Sequence, residues 1–297
     1  MSELQELVAD ELGAPVDPRV EAIAGAIAAQ HGAASRAVLF YGSCLREREL
    51  EGRILDFYLI VSDYRTAYRK SWLAAANRLV PPNVFYFENC GLASKYAVLS
   101  EDDFARECGP GARTSSVFAR FAQPSRLVWA SSAKARETAI DAVSRATCTL
   151  LQLTMPTMTK SEALDVLSIW KKAFSFTYRA EIRAERSSRP GLIVDTDPDR
   201  YRRFANAAGY PGEGNWTDEE RRASERAWRQ FERRGKRASV LRLAKASLTF
   251  ANGADYIAWK INRHAGTDIR LKPWQQRHPL IAAVTLLPRL LRSGAVR

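Results

Sequence analysis

The sequence predicts an α+β fold, in which a mixed β-sheet with helices is followed by a mainly helical region. Between residues 17 and 129, short strand-like apolar runs alternate with segments of helical pattern. From about Lys134 onwards, apolar residues such as Ile140, Val143 and Leu150 recur at helical spacing. The chain has 297 residues, 46% of them apolar, so we expect a globular protein with a sizeable core.

Each predicted element has a local reason. Asp17 is a good helix cap and Pro18 suits a first turn, which predicts a helix over 17–30. Runs of strand-forming residues predict strands at 36–41, 54–61, 84–88 and 95–100. Further helices are predicted over 64–79, after the cap-like SEDD of 100–103, and over the basic stretch 218–247. The polar stretch 185–220 has little periodicity and predicts a long loop.

These elements suggest three regions. Residues 1–131 carry the strands, residues 132–278 are helical and basic, and residues 279–297 form an amphipathic C-terminal segment. In that last segment Leu280, Val284, Leu287 and Leu291 fall on one side of a helix. The segment could pack on the protein's own core, or lie in the headgroup region of a membrane and associate with it.

The net charge indicates the kind of partner, and the cysteine spacing bears on metal sites and disulfides. The formal net charge of +12 favours an anionic partner such as a nucleotide, a nucleic acid or an acidic membrane surface. Aromatic residues are sparse among the basic residues of 202–237, so we expect no specific nucleic acid as a partner. The four cysteines lack CxxC spacing, which argues against a zinc site or a disulfide framework.

The compartment is predicted from what the sequence lacks. The N-terminus has neither a signal peptide's basic and apolar regions nor the Arg-rich character of an organelle presequence. No stretch reaches the roughly 20 apolar residues that a spanning helix needs. We therefore expect a cytoplasmic protein, peripheral on the inner face of the membrane.

A carboxylate in the middle of a strand is the clearest candidate for chemistry. The strand ending at Tyr41 runs into Gly42-Ser43, and Asp56 interrupts the next apolar run. A glycine turn lets backbone N–H groups approach phosphate oxygens, and a nearby carboxylate can hold Mg²⁺. Glu88 would supply a second acid if its strand lies beside Asp56. The alternatives are an ordinary turn with an edge-strand Asp that pairs with an Arg, and a Glu88 that faces solvent.

The same residues resemble the nucleotidyltransferase superfamily pattern hG[GS]…hDx[DE]h, with Tyr58 in place of the second acid. Blocks in series also resemble the mitochondrial-type phosphatidate cytidylyltransferases, the translocator-maintenance family, in which that second acid is absent too. The blocks are FYGSC…ILDFYLIV, NVFYFENCGLASKYAVLSEDDF, SVFARFAQPSRLVW, FTYRAEIRAE, YIAWKINRHAG and WQQRHPLIAA. Cys44 departs from the family's glycine, Glu88 from its asparagine and Glu181 from its aspartate.

The resemblance implies a Mg²⁺-dependent reaction of CTP with phosphatidic acid that gives CDP-diacylglycerol and pyrophosphate. A phosphate monoester carries about −1.5 to −2 charges at pH 7. Its oxygen therefore needs no strong general base, and charge neutralisation and in-line positioning matter most.

The resemblance also implies roles for individual residues. Asp56 and Glu88 would hold Mg²⁺, and Asp56 and Lys95 would be the catalytic pair. The nucleotide would be bound by Tyr41, Gly42, Ser43, Lys95 and Arg183, and the lipid phosphate by Tyr178, Lys260 and Arg263. Two alternatives stay open: an enzyme of the same superfamily that acts on RNA or a small-molecule acceptor, and a non-catalytic basic module that binds nucleotides or nucleic acid.

Overall fold

The centre of the molecule is a mixed sheet, seen in a computed structural model that describes residues 1–47, 49–159, 162, 165–181, 189–210 and 216–249. Its strands are β1 (Ser35–Tyr41), β2 (Ile54–Val61), β3 (Asn83–Asn89), β4 (Leu92–Ser100) and β5 (Ser125–Ala130). Their order across the sheet is β3-β4-β2-β1-β5. β2 and β4 pair in parallel, and the other neighbours are antiparallel. The predicted α+β class and the predicted strands are confirmed.

The two faces of the sheet are covered by different helices. In β2, Leu55, Phe57 and Leu59 enter one apolar cluster, whereas Tyr58 and Ile60 enter the other. This alternation follows from the two-residue period of a strand. Asp56 has the same parity as Tyr58, so its carboxylate belongs to the Tyr58 side of the sheet.

Short helices surround the sheet within the first 131 residues. They are α1 (Glu3–Gly13), α2 (Pro18–His31), α3 (Ser43–Glu47), α4 (Tyr64–Ala67), α5 (Ser71–Leu79), α6 (Glu101–Cys108) and α7 (Ser116–Phe121). Asp17 and Ser100 cap α2 and α6, as the sequence predicts. The prediction of one helix over 64–79 is wrong, because Tyr68 and Lys70 have extended backbones between α4 and α5. The Tyr68 side chain is buried on the α2 side of the sheet, so tertiary packing overrides local helical pattern.

Longer helices follow β5. They are α8 (Ala133–Thr154), α9 (Val166–Ala180), α10 (Arg189–Asp195), α11 (Pro198–Ala207) and α12 (Asp218–Thr249). The prediction of a long loop over 185–220 is wrong where α10 and α11 form. Asp197 caps α11 and Pro198 occupies its first turn, and Tyr201 packs on Trp170 with ring centroids 5.0 Å apart.

One apolar cluster includes side chains from the sheet and from the later helices. Leu39 and Tyr58 of the sheet share it with Trp170 of α9 and Trp228 of α12. The division at residue 131 stays a prediction, and the two sides of it share this core. Among the described residues, no helix combines the length and the apolar character needed to cross a membrane.

Candidate active site

The site is built where β1 leaves the sheet beside β2. Tyr41 is the register partner of Asp56, and the following residue, Gly42, has φ 98°. A Cβ placed on Gly42 would stand 3.0 Å from the Oδ2 atom of Asp56. Glycine is therefore required both for the left-handed backbone and for the close approach of the chain to the carboxylate.

Lys95 completes the centre of the site. It is the register partner of Asp56 across the parallel β2–β4 pair, and its Nζ lies 3.1 Å from the Oδ1 atom of Asp56. The two side chains are 30% and 20% exposed, so both are accessible to a ligand. The alternative of an edge-strand Asp paired with an Arg is wrong, because β2 lies inside the sheet and the partner is a lysine.

The residues after Gly42 fix the turn. Ser43 begins α3, and the buried thiol of Cys44 donates a hydrogen bond to the Ile54 carbonyl over 3.5 Å. Burial raises the pKa of this thiol, with the charge of Asp56 adding to the effect. Cys44 thus ties the turn to the start of β2 as a neutral group. One turn further on, Arg46 donates to Oε1 of Gln123 over 3.1 Å.

Tyr58, at the position of the missing second acid, is a core residue. Its ring contacts Tyr41 and Phe121 at centroid distances of 5.4 and 5.3 Å. Burial raises the pKa of Tyr58. A carboxylate at this position would be desolvated by the same aromatic rings. The side chain two residues after Asp56 therefore packs the core.

Sequence reasoning missed an arginine–glutamate pair next to this aromatic group. Arg120 of α7 donates to the Glu181 carboxylate, with Nη1 3.0 Å from Oε1, and also to the Ser116 carbonyl. Burial lowers the pKa of Arg120, but the Glu181 carboxylate, with Tyr58 and Tyr41 beside it, holds that pKa well above its usual value. Arg120 in turn offsets part of the rise that burial and Asp56 cause in the pKa of Tyr41. The available signal was the position of Arg120 and Glu181 in two of the blocks quoted above.

Glu88 is not brought to Asp56. It lies on β3, where its register partner is Ala93 of β4, and its Oε2 atom accepts a hydrogen bond from Tyr86 over 3.3 Å. β4 stands between β3 and β2, so the strand of Glu88 and the strand of Asp56 are two strand spacings, about 10 Å, apart. In the part of the chain that is described, no three His, Cys, Asp or Glu side chains come together as a metal site. Asp56 is therefore the carboxylate left at the site.

The remaining predicted residues fall elsewhere. Tyr178 lies on α9, partly buried against the shared core and one turn before Glu181. Seven residues lie outside the described residues: Arg183, Lys260, Arg263, Leu280, Val284, Leu287 and Leu291. The structure brings together Tyr41, Gly42, Ser43, Asp56 and Lys95.

Comparison with known proteins adds one structural likeness. No protein-family model and no curated protein sequence matches this chain. A nucleotidyltransferase-like protein from Exiguobacterium sibiricum 255-15 is similar over 93% of this chain and 92% of its own, with 10% identity and a TM-score of 0.29. Values of this size do not assign a fold or a function, which rest here on the chain's own residues.

Proposed function

We propose that this protein is a nucleotidyltransferase whose nucleotide site is the Gly42–Ser43 turn with Asp56 and Lys95. The observation that carries the proposal is the close approach of Gly42 to Asp56, which leaves no room for a side chain between the turn and the carboxylate. Backbone N–H groups of such a turn are suited to phosphate oxygens. Tyr41, the last residue of β1, would fix the position of the turn that follows it.

Asp56 is suited to hold Mg²⁺ together with the nucleotide. Protein sites bind Mg²⁺ through one or two carboxylates plus substrate phosphates and waters, and Asp56 offers one partly exposed carboxylate beside the turn. When bound, the ion would neutralise the charge of the triphosphate and polarise its phosphoryl groups. Lys95 pairs with Asp56 in the structure and would turn its ammonium to a phosphate oxygen when the nucleotide enters.

For the particular reaction, we propose transfer of CMP from CTP to phosphatidic acid with release of pyrophosphate. The resemblance of the sequence blocks to those of the phosphatidate cytidylyltransferases supports this choice. Asp56 is the one predicted acid that the described residues leave at the site, and an acceptor that is already an anion would need no strong general base there. Arg183 would add to nucleotide binding, and Tyr178, Lys260 and Arg263 would meet the lipid phosphate. Because phosphatidic acid lies in a bilayer, the protein would act as a peripheral protein on an anionic membrane surface.

The test is incubation with labelled CTP, Mg²⁺ and phosphatidate vesicles, followed by extraction of the lipid. We expect labelled CDP-diacylglycerol from the native chain and a loss of about 10²–10³ in kcat for Asp56→Asn, as for removal of one charge-stabilising group. Asp102→Asn is the matched control, because Asp102 is an exposed acid on α6. Full turnover by Asp56→Asn would refute the site, and label transferred to RNA with none in lipid would refute the acceptor.

A further inference from the structure

We infer that the outward face of α5 is a bilayer-contacting surface specific for anionic lipid. This surface consists of Trp72 and Leu79, flanked by Arg69, Lys70 and Arg78. α5 packs through Ala74 on the Phe57 side of the sheet, whereas Asp56 belongs to the Tyr58 side, so binding through this surface does not require the site to be catalytic. The inference goes beyond the proposed function because it assigns membrane contact to a helix for which no role has been given.

The apolar part of this surface is exposed to an unusual degree. Leu79 is 80% exposed and Trp72 is 45% exposed. They are seven residues apart, which places them on the same side of a helix two turns apart, and the exposed Ala75 lies between them. The opposite side of α5 is fixed to the protein by the buried Ala74 and Asn77. Tryptophan is enriched at membrane–water interfaces, where an amphipathic ring sits at headgroup level.

The cations of this surface have no acidic side chains near them in the sequence. Arg69, Lys70 and Arg78 are exposed, and none of them has an ion-pair partner in the described part of the chain. The sequence contains no Asp or Glu from residue 64 to residue 87. The positive field at α5 is therefore available to an external anion.

The basic helix α12 provides the contrast. Three of its cations are paired with acids of the same helix, in Arg221–Asp218, Arg229–Glu225 and Lys236–Glu232. Such pairs are typical of a solvated helix face and contribute little net field. α12 also carries exposed arginines outside these pairs, such as Arg226 and Arg233, but acids are interspersed among them, whereas no acid lies in the segment 64–87 that contains α5.

The α5 surface is held rigidly on the sheet. Asn77 donates to the Val98 carbonyl of β4 over 2.9 Å, and Asn83 donates to the Leu73 carbonyl over 2.9 Å. The loop after α5 is held by α12, since Arg242 donates to the Pro81 carbonyl and Lys245 to the Pro82 carbonyl, over 2.7 and 2.8 Å. The surface is therefore preformed, and binding would not have to order it.

A lipid bilayer fits these features better than a nucleic acid does. Phosphates of either partner would pair with the three cations, but an aliphatic side chain as exposed as Leu79 gains nothing from a sugar–phosphate backbone. A single exposed aromatic also makes a poor stacking platform for bases. An interfacial helix instead combines an apolar side with basic flanks.

The test is sedimentation of the full chain with vesicles of phosphatidylcholine alone and of phosphatidylcholine with phosphatidylglycerol. Phosphatidylglycerol supplies anionic charge without being the proposed substrate. We expect binding only to the anionic vesicles. Each juxtamembrane cation contributes roughly five-fold to such binding. The triple variant Arg69→Gln/Lys70→Gln/Arg78→Gln should therefore bind about 100-fold more weakly.

Matched variants on other helices test whether binding depends on the α5 surface in particular or on any exposed cation or apolar side chain. The triple variant Arg221→Gln/Arg229→Gln/Lys236→Gln removes the same charge from α12, at cations that have acid partners in the same helix, and should bind as the native chain does. Leu79→Ala should weaken binding, whereas Leu192→Ala, at a residue 59% exposed on α10, should not. Circular dichroism of each variant checks that it is folded.

The inference would be overturned if the α5 triple variant bound anionic vesicles with native affinity, or if the α5 and α12 triple variants lost equal affinity for them. It would also be overturned if the α5 triple variant lost binding to single-stranded RNA while its binding to vesicles stayed unchanged. Asp56→Asn should bind vesicles normally while it loses transfer activity. Failure of this surface and failure of the proposed function therefore give different results.

Discussion

Gly42 illustrates how much of the site depends on a single missing side chain. Its backbone is left-handed and its Cα faces the Asp56 carboxylate, so any Cβ would enter the space between turn and acid. For any other residue type the left-handed backbone conformation by itself costs free energy, and at this position the added side chain would also clash with a charged group. The glycine is therefore needed for two separable reasons, and these can be tested separately.

We predict that Gly42→Ala abolishes Mg²⁺–CTP binding, measured by calorimetry, and destabilises the fold by about 1–2 kcal/mol. The control is Gly52→Ala, because Gly52 also has a positive φ of 62° but nothing stands within 4 Å of its Cβ position. That variant should lose similar stability and bind the nucleotide as the native chain does. Normal binding by Gly42→Ala would show that the turn does not hold the phosphates.

The sequence assigned Lys95 and Asp56 to one site but did not predict that the two side chains are in contact. The resemblance assigned both to the site, and the parallel pairing of β2 and β4 makes them neighbours in register. Glu88 was predicted as a second metal ligand on the condition that its strand lies beside Asp56, yet it lies one strand beyond Lys95. Local pattern identifies strands well, but the order of strands depends on which faces they bury together.

At the scale of elements, the crossing of α9 and α12 determines where the Arg120–Glu181 pair lies. Gly235 of α12 packs directly against the end of α9, where a Cβ would overlap the carbonyl oxygen of Ala180. Glu181, the next residue, holds Arg120 beside Tyr41 and Tyr58. The close approach of these two helices therefore supports the site on the side of Tyr41, the residue before the turn.

We predict that Gly235→Ala destabilises the protein by about 1–3 kcal/mol, because the added methyl group overpacks a helix contact made by backbone. Gly25→Ala is the control, since Gly25 is inside α2 and nothing lies within 4 Å of its Cβ position. Alanine there should stabilise by up to about 1 kcal/mol through helix propensity. Urea unfolding measures both changes, and a stabilised Gly235→Ala variant would contradict the close contact.

At the scale of the whole molecule, two pairs of polar contacts join the helical region to the sheet region. Arg200 of α11 forms an ion pair with Glu11 of α1 and donates to the Ala122 carbonyl over 3.2 Å. Near the end of α12, Arg242 donates to Ser116 over 2.8 Å and Lys245 donates to the loop before β3. These contacts attach α11 and α12 to the elements that carry the site.

The Lys245 contact should make stability depend on pH. Burial and the nearby charge of Arg242 lower the pKa of Lys245 to about 7, whereas an unfolded lysine has a pKa of about 10.4. Between these values the unfolded chain binds a proton that the folded chain does not. The free energy of unfolding should therefore rise with pH from about 7 to about 10 through this group.

Lys245→Met should reduce this rise, measured by urea unfolding at several pH values from about 7 to about 10. Lys236→Met is the matched control, because Lys236 is an exposed lysine of the same helix whose partner is Glu232. It should leave the slope unchanged. The same slope in Lys245→Met as in the native chain would contradict a neutral buried lysine.

The sequence by itself determined strands β1 to β4, the caps of α2 and α6, the Gly42 turn and the candidate role of Asp56. These depend on alternation, capping and backbone conformation, which are properties of a few neighbouring residues. It did not determine α10 and α11, the Arg120–Glu181 pair, or the separation of Glu88 from Asp56. Only the tertiary structure decided those, because each depends on burying side chains that are far apart in the chain, and that free energy is absent from any local pattern.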